Sequence, residues 1–206
     1  MIYGIAGASG TGKTTLGKHV SDALNIPFVR TSITEMARKA GFEAVGSLPL
    51  PDRWRLQQSL LTQFEDMLDN MRGPVILDRT PVDLIGYLYG EIDMHSDQAL
   101  DLETLKQIDA YCTKCQNLTA TRFDRVFITN ILPEYELAET RPGFNPAYQR
   151  HVHMIIVGSL ITAENQSDVS LLTTNDLHQR IDIVMETIAG RLETIRAERK
   201  GNLNVH

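Results

Sequence analysis

The chain has 206 residues, 42% of them hydrophobic and 22% charged, with a formal net charge of -6. That is enough bulk for one domain with a real core, and the acidic balance gives no general drive toward nucleic acid or an anionic membrane. The apolar run Met154-Ile155-Ile156-Val157 is far too short to span a bilayer, and two cysteines do not make a disulfide-stapled secreted fold, so a reducing, cytoplasmic compartment with no leader is expected.

Ile2-Tyr3-Gly4-Ile5-Ala6 is an uninterrupted apolar run, which predicts a buried parallel strand. Gly7-Ala8-Ser9-Gly10-Thr11-Gly12-Lys13-Thr14 follows and reads G-x-x-x-x-G-K-[ST], the phosphate-binding P-loop pattern. Leu16, Val20, Ala23 and Leu24 then recur at helical spacing, so a helix is expected from about Lys13. Gly7, Gly10 and Gly12 permit conformations that turn successive N–H groups inward toward phosphate oxygens. The helix N-terminus adds further donors and the positive end of its dipole. Lys13 is expected to reach the β- and γ-phosphates and the Thr14 hydroxyl to hold Mg²⁺. Ala8, Ser9, Thr11 and Thr15 complete the expected ATP-binding set. The competing reading is a glycine-rich turn with a chance Lys-Thr, and the strand before and helix after weigh against it.

Residues 26–30 predict a second strand, and Ser32-Ile33-Thr34-Glu35 is a capping box opening a helix that ends near Gly41. Thr31 therefore falls at a strand's carboxyl end, where open parallel sheets bind ligands. It is a substrate-binding candidate, as is Arg38, whose alternative is a solvated helix face. Residues 46–51 form a loop, and a helix follows from about Asp52 with Leu60, Leu61, Phe64, Met67, Leu68 and Met71 as its core stripe. Trp54 in its first turn could stack on a base, but a packing role is the plainer reading.

Gly73-Pro74 breaks that helix, and residues 75–78 predict a third strand ending in a carboxylate. Thr80 as N-cap, Pro81 and Asp83 predict the next helix start, so Asp78 and Arg79 lie between a strand tip and a helix start. A carboxylate there can organise Mg²⁺ or take a proton from an attacking oxygen, and an arginine there can clamp a phosphate. The plainer alternative is a structural Asp–Arg pair. Helices are expected at 81–89 and 98–120, separated by the acidic loop Glu91-Ile92-Asp93. Cys112-Thr113-Lys114-Cys115 reads as two free thiols on a helix rather than a metal or redox site. His151 and His153 face different sides of a helix and make no ligand pair, and His95 has no evident partner.

Residues 125–129 predict a fourth strand, and 130–143 an irregular stretch placed where a kinase lid would lie, with Arg141 as its candidate catalytic arginine. A helix over 146–161, a strand over 169–172 and a last helix carrying Leu177, Ile181, Val184, Ile188, Leu192 and Ile195 complete the chain. Thr173 and Thr174 are weak base-contact candidates, and the tail from Lys200 is expected to fray. Alternating strands and helices predict an α/β fold, a three-layer αβα sandwich with a parallel five-stranded sheet and a lid, forming one domain over 1–206.

Gly7 to Thr14, taken with Asp78-Arg79-Thr80 and Asp83, resembles the P-loop kinases of nucleosides and nucleoside monophosphates, which carry a D/E-R motif at the end of the third strand. The branch most similar includes nicotinamide riboside kinases and bacteriophage deoxynucleotide kinases. The resemblance implies an ATP- and Mg²⁺-dependent phosphotransferase acting on a nucleotide-type small molecule. It gives Asp78 the part of base or Mg²⁺ organiser, Arg79 that of phosphate clamp, and Asp83 a place among the substrate-binding residues. Two departures stand out: the lid segment lacks an arginine-rich cluster, and no motif identifies the acceptor base.

Some similar phage kinases phosphorylate 5-hydroxymethyluracil within DNA, which implies a basic cleft here; Arg53, Arg55, Arg122, Arg125 and Arg150 are its candidates. A regulatory ATPase is a further alternative, whereas no N-K-x-D motif supports a GTPase. No membrane association is expected, the protein is read as a monomer or homodimer, and a phage-encoded chain would work in the host cytoplasm.

Overall fold

The computed structural model describes residues 1–42, 48–94, 100–133, 146–162 and 168–203. In chain order the elements are β1 (Ile2–Ala6), α1 (Lys13–Leu24), β2 (Phe28–Val29), α2 (Ile33–Lys39), α3 (Leu50–Asn70), β3 (Val75–Leu77), α4 (Pro81–Met94), α5 (Leu102–Arg122), β4 (Arg125–Thr129), α6 (Pro146–Ile161), β5 (Val169–Leu172) and α7 (Leu177–Leu203). Strands pair in parallel in the order β2-β3-β1-β4-β5, the α/β sandwich predicted from strand–helix alternation. Among the described residues no helix is long and apolar enough to cross a membrane.

The two-residue period of a strand divides the core into two layers. From β1, Tyr3 and Ile5 face α1 and α7, where they meet Leu16, Val20, Val184 and Ile188. Ile2 and Ala6 face the opposite layer, with Leu60 and Phe64 of α3, Leu84 and Ile85 of α4 and Val152 of α6. Every residue of β1 is buried, which is why its sequence runs apolar without alternation. Phe64 is fully enclosed, so truncation to Ala would cost about 3–5 kcal/mol.

Helices α4 and α6 approach each other closely at two glycines. A Cβ on Gly86 would lie 2.5 Å from Ile156 Cγ1 and 2.9 Å from the Val152 carbonyl oxygen. One on Gly90 would lie 2.8 Å from the Tyr148 ring. Two glycines a turn apart thus let α6 settle directly on α4, bringing Tyr148 and Gln149 toward the rim of the sheet.

Several boundaries differ from those predicted. The strand expected at 26–30 is only Phe28–Val29, and that expected at 75–78 stops at Leu77. Helix α3 begins at Leu50 rather than Asp52, because Pro49 serves as N-cap and Pro51 sits in the first turn, where a missing N–H costs nothing. The acidic Glu91-Ile92-Asp93 is not a loop but the last turn of α4. Its charges look solvated in sequence, yet Ile92 packs on the core and Glu91 pairs with Arg53. Helix α5 starts at Leu102, not 98, with the Asp101 carboxylate accepting from Thr104 N at 2.7 Å. At the other end α7 continues to Leu203, past the expected fraying point.

Candidate active site

Parallel pairing puts the carboxyl ends of β1, β3, β4 and β5 on one rim, and the candidate site gathers there. The loop after β1 is shaped by its glycines: Gly7, Gly10 and Gly12 have φ of 138°, 81° and 83°, values that a side chain resists. Gly12 is the N-cap of α1 with no side-chain cap, so the first amides of that helix are left facing the loop's interior. Lys13 is buried, and its Nζ donates to the carbonyls of Gly7 and Ala8 at 2.6 Å each. The ammonium thus closes the loop on itself, in the space where phosphate oxygens would compete for its donors.

Hydroxyls brace the loop from below. Thr11 Oγ1 donates to the Ala8 carbonyl at 3.0 Å. Thr129, at the tip of β4, puts its Oγ1 2.7 Å from Thr11 Oγ1 and 3.1 Å from the Ala6 carbonyl oxygen. On the α7 side Arg180, only 2% exposed, donates from Nη1 to Thr11 O at 3.1 Å and from Nε to Thr174 O at 2.6 Å, and its Nη2 lies 3.5 Å from Asn130 O. Burial pulls this guanidinium's pKa down. On the other side Gln149 of α6 donates to Ser9 O at 2.5 Å. Thr15 is exposed at the start of α1.

Asp78, just past β3, meets this loop. Its Oδ2 accepts from Thr14 Oγ1 at 2.8 Å and its Oδ1 from Thr31 N at 2.7 Å. It is 4% exposed, and each of its oxygens has a donor, as a buried carboxylate requires. A hydroxyl and a carboxylate in contact at the mouth of a phosphate loop offer the oxygen donors that Mg²⁺ takes, and Mg²⁺ keeps most of its other positions for water and phosphate. Among the described residues no group of three or more His, Cys, Asp or Glu gathers as a metal cage. Thr31 is buried, and its Oγ1 has no hydrogen-bond partner among the described residues.

Arg79 turns the other way and stacks over Tyr87 of α4, its Cζ 5.5 Å from the ring centroid. Burial works against the charge on Arg79, but Tyr87, Asp83 and Asp78 outweigh it and hold the guanidinium above its usual pKa. It is therefore a fixed cation beside Asp78.

Asp83, expected to bind substrate, is turned into the protein. Its Oδ1 accepts from Gly7 N at 3.0 Å, and its Oδ2 from Thr80 N and Thr80 Oγ1 at 2.8 Å each. It is 1% exposed. One carboxylate thereby caps α4 and anchors the first amide of the phosphate loop, a positioning task rather than a substrate contact. Arg38 is exposed on the last turn of α2, and among the described residues no contact joins it to Asp78. Ser32 is a cap, accepting from Glu35 N at 3.3 Å. Trp54 packs edge-on against Tyr111 at 5.4 Å, between α3 and α5. Arg141, His95 and the 134–143 part of the expected lid lie outside the described residues.

Of the five arginines proposed for a basic cleft, four are paired with carboxylates: Arg53 with Glu91, Arg55 with Asp52, Arg122 with Asp69 and Arg125 with Asp168. Cys112 and Cys115 are free thiols, and burial pushes both up in pKa. His151 meets Asp93, whereas His153 is half-buried. Burial first and Lys13 second hold its imidazole below the ordinary histidine value, against Asp83. Thr129, Gln149 and Arg180 were not singled out in the sequence, and His153 was weighed there only as half of a rejected ligand pair. Only Thr129, as the last residue of an apolar strand, carried a signal: its position at a carboxyl tip.

A family profile described as an AAA domain matches residues 3–180. No curated protein matches the chain. Among solved structures, deoxyadenosine kinase from M. mycoides with bound dATP superposes with a TM-score of 0.66 at 15% identity, covering 92% of this chain and 99% of that one. Thymidylate kinase from Candida albicans gives a TM-score of 0.60 at 17% identity over 92% and 91% of the two chains. A NadR protein in complex with NR gives 0.63 at 19% identity over 90% of this chain and 50% of that one. These are likenesses of fold.

Proposed function

The chain belongs to the AAA-domain family, and from that premise we propose that it is a cytoplasmic kinase that transfers the γ-phosphate of Mg-ATP to a nucleoside, a deoxynucleoside monophosphate or a related acceptor. The observation that carries this reading is the 2.8 Å contact between Thr14 Oγ1 and Asp78 Oδ2. It joins the phosphate loop of one strand to the carboxylate of another at the same rim. That hydroxyl and carboxylate together are the oxygen donors a Mg-triphosphate takes in P-loop enzymes, and the acceptor assay below separates transfer from hydrolysis.

In this reading the amides after Gly12 and the Lys13 ammonium bind the β- and γ-phosphates. Lys13 would exchange its two carbonyl partners for phosphate oxygens. Mg²⁺, held by Thr14 and Asp78, would neutralise charge on the β- and γ-phosphates. Arg79, fixed over Tyr87, supplies positive charge beside the transferring group. Asp78 takes the acceptor's proton or orients the metal's water shell. Thr31 presents its unspent hydroxyl to the substrate. We assign the whole chain to one kinase domain, with 130–143 as its lid and Arg141 as the arginine that lid carries.

The test is a transfer assay with Mg-ATP and separate nucleosides, deoxynucleoside monophosphates and hydroxymethylated DNA, measuring both ADP release and labelled product. Acceptor-dependent product supports the kinase. ADP release that ignores every acceptor turns the reading to a regulatory ATPase. A DNA acceptor is the weaker alternative, because four of the five candidate arginines are matched by carboxylates, which leaves less basic surface to hold a polymer.

A further inference from the structure

Gripping a triphosphate leaves one polar face of the rim unused. On α4, Asp83, Tyr87 and Glu91 follow at four-residue steps, so they line one side of the helix. Asp83 anchors the phosphate loop, Tyr87 carries Arg79, and Glu91 faces Arg53 of α3, whose Nε stands 3.1 Å from its Oε2. The Arg53 and Glu91 side chains keep 14% and 15% of their surface exposed, so the pair is mostly enclosed but still reachable. Tyr148 of α6, drawn in by the Gly90 contact, lies beside Glu91, Arg53 and Tyr87. Three helices therefore converge on one pair of opposite charges. It stands eight residues along α4 from Asp83, roughly 12 Å at the rise of an α-helix. Toward Asp78 the pair is connected through Tyr148 and Tyr87, over which Arg79 stacks.

The charges at the two ends are informative. At the reacting end the carboxylates Asp78 and Asp83 lie beside the cation Arg79, and the Lys13 ammonium is the one a triphosphate would occupy. An acceptor already carrying a phosphate would add roughly 1.5–2 negative charges there. A phosphate oxygen also needs no base before it attacks, whereas a hydroxyl does, and Asp78 is a buried carboxylate placed for that task. At the far end an ion pair offers one donor set and one acceptor set with no net charge. Such a pair, costly to desolvate, suits an uncharged ring edge that both gives and takes hydrogen bonds.

We propose that Arg53, Glu91 and Tyr148 form the far subsite of the acceptor, and that the acceptor is an unphosphorylated nucleoside whose hydroxyl meets Asp78 and whose base edge meets the Arg53–Glu91 pair. The proposal rests on the kinase reading above. In the transfer, the hydroxyl proton passes to Asp78 while the acceptor oxygen bonds to the γ-phosphorus. The bond from that phosphorus to the β,γ-bridging oxygen breaks, and ADP leaves with its electron pair.

The experiment uses the full chain with Mg-ATP and the common ribo- and deoxynucleosides set against their 5′-monophosphates. At least one nucleoside is expected to exceed its own monophosphate in kcat/KM by ~10-fold or more. Tyr148→Phe, which removes a single hydroxyl, should raise KM for that nucleoside by ~3–10-fold, and the Arg53→Gln/Glu91→Gln double variant by more, with KM for ATP unchanged in both. A circular-dichroism melt shows that each variant is folded. Transfer to monophosphates in preference to nucleosides overturns this inference and leaves the kinase reading standing. So does a nucleoside KM that Tyr148→Phe and the double variant leave unmoved. No transfer to any acceptor overturns both.

Discussion

The phosphate-loop side and the α4 side of the rim are built from different materials. The phosphate loop is a backbone device: three left-handed glycines, a run of helix amides, and carbonyls tied down by Lys13, Thr11, Gln149 and Arg180. The wall along α4 is a side-chain device: Arg79 on Tyr87, and Arg53 on Glu91 with Tyr148 beside them. A backbone device binds a group common to all nucleoside triphosphates and tolerates no change of shape. A side-chain device can be retuned one residue at a time, which is where substrate choice is expected to reside.

That contrast can be broken most severely at Lys13. Lys13→Ala should lower phosphoryl transfer by roughly 10³-fold, since it removes a charged donor in a desolvated site. Near-normal turnover would mean that the loop does not hold the donor. Asp78→Asn should lower turnover by roughly 10²-fold with little change in melting temperature. If instead the variant unfolds while residual turnover per folded molecule is normal, Asp78 is structural.

Arg180→Met strips donors from the carbonyls of Thr11 and Thr174 in a buried setting, at about 1–3 kcal/mol for each group left unsatisfied. Urea unfolding should show the loss, and KM for ATP should rise while KM for the acceptor stays put. Gly90→Ala probes the other side. Its Cβ would collide with the Tyr148 ring and Val152 Cγ2, costing about 1–3 kcal/mol by overpacking. Acceptor KM should rise with ATP KM unmoved, the reverse of Arg180→Met. If the two variants shift the same constant, the division into two devices is wrong.

The mildest effect concerns His153. Its folded pKa lies below the ordinary value of 6.5, so the native state prefers the neutral ring. As pH falls through 6.5 the unfolded chain takes the proton first, and stability drops; above that pH the term vanishes. His153→Gln should flatten this loss between pH 7.5 and 5.5, measured as the difference in urea midpoint. An unchanged slope would place His153 in a more open setting than the structure gives it.

How much was legible follows from the same division. The glycine loop, the β1 run and the Thr80-Pro81-Asp83 helix start are contiguous signals, and each appears where the sequence put it. Glu91 was misread as part of an acidic loop because its partner Arg53 lies 38 residues earlier on another helix. Asp83 was read as a substrate contact because nothing local reveals that Gly7 N, 76 residues away, donates to it. Arg180 drew no reading from the sequence, and only the sheet order brings it under Thr11.

By itself the sequence determined the sheet, its parallel sense and the phosphate loop, because hydrophobic period, glycine freedom and helix capping act over a few residues. The tertiary structure alone decided which charges face each other across the rim. Ion pairs and buried hydroxyls find partners through space, and where two helices cross depends on how closely glycines such as Gly86 and Gly90 let their backbones approach.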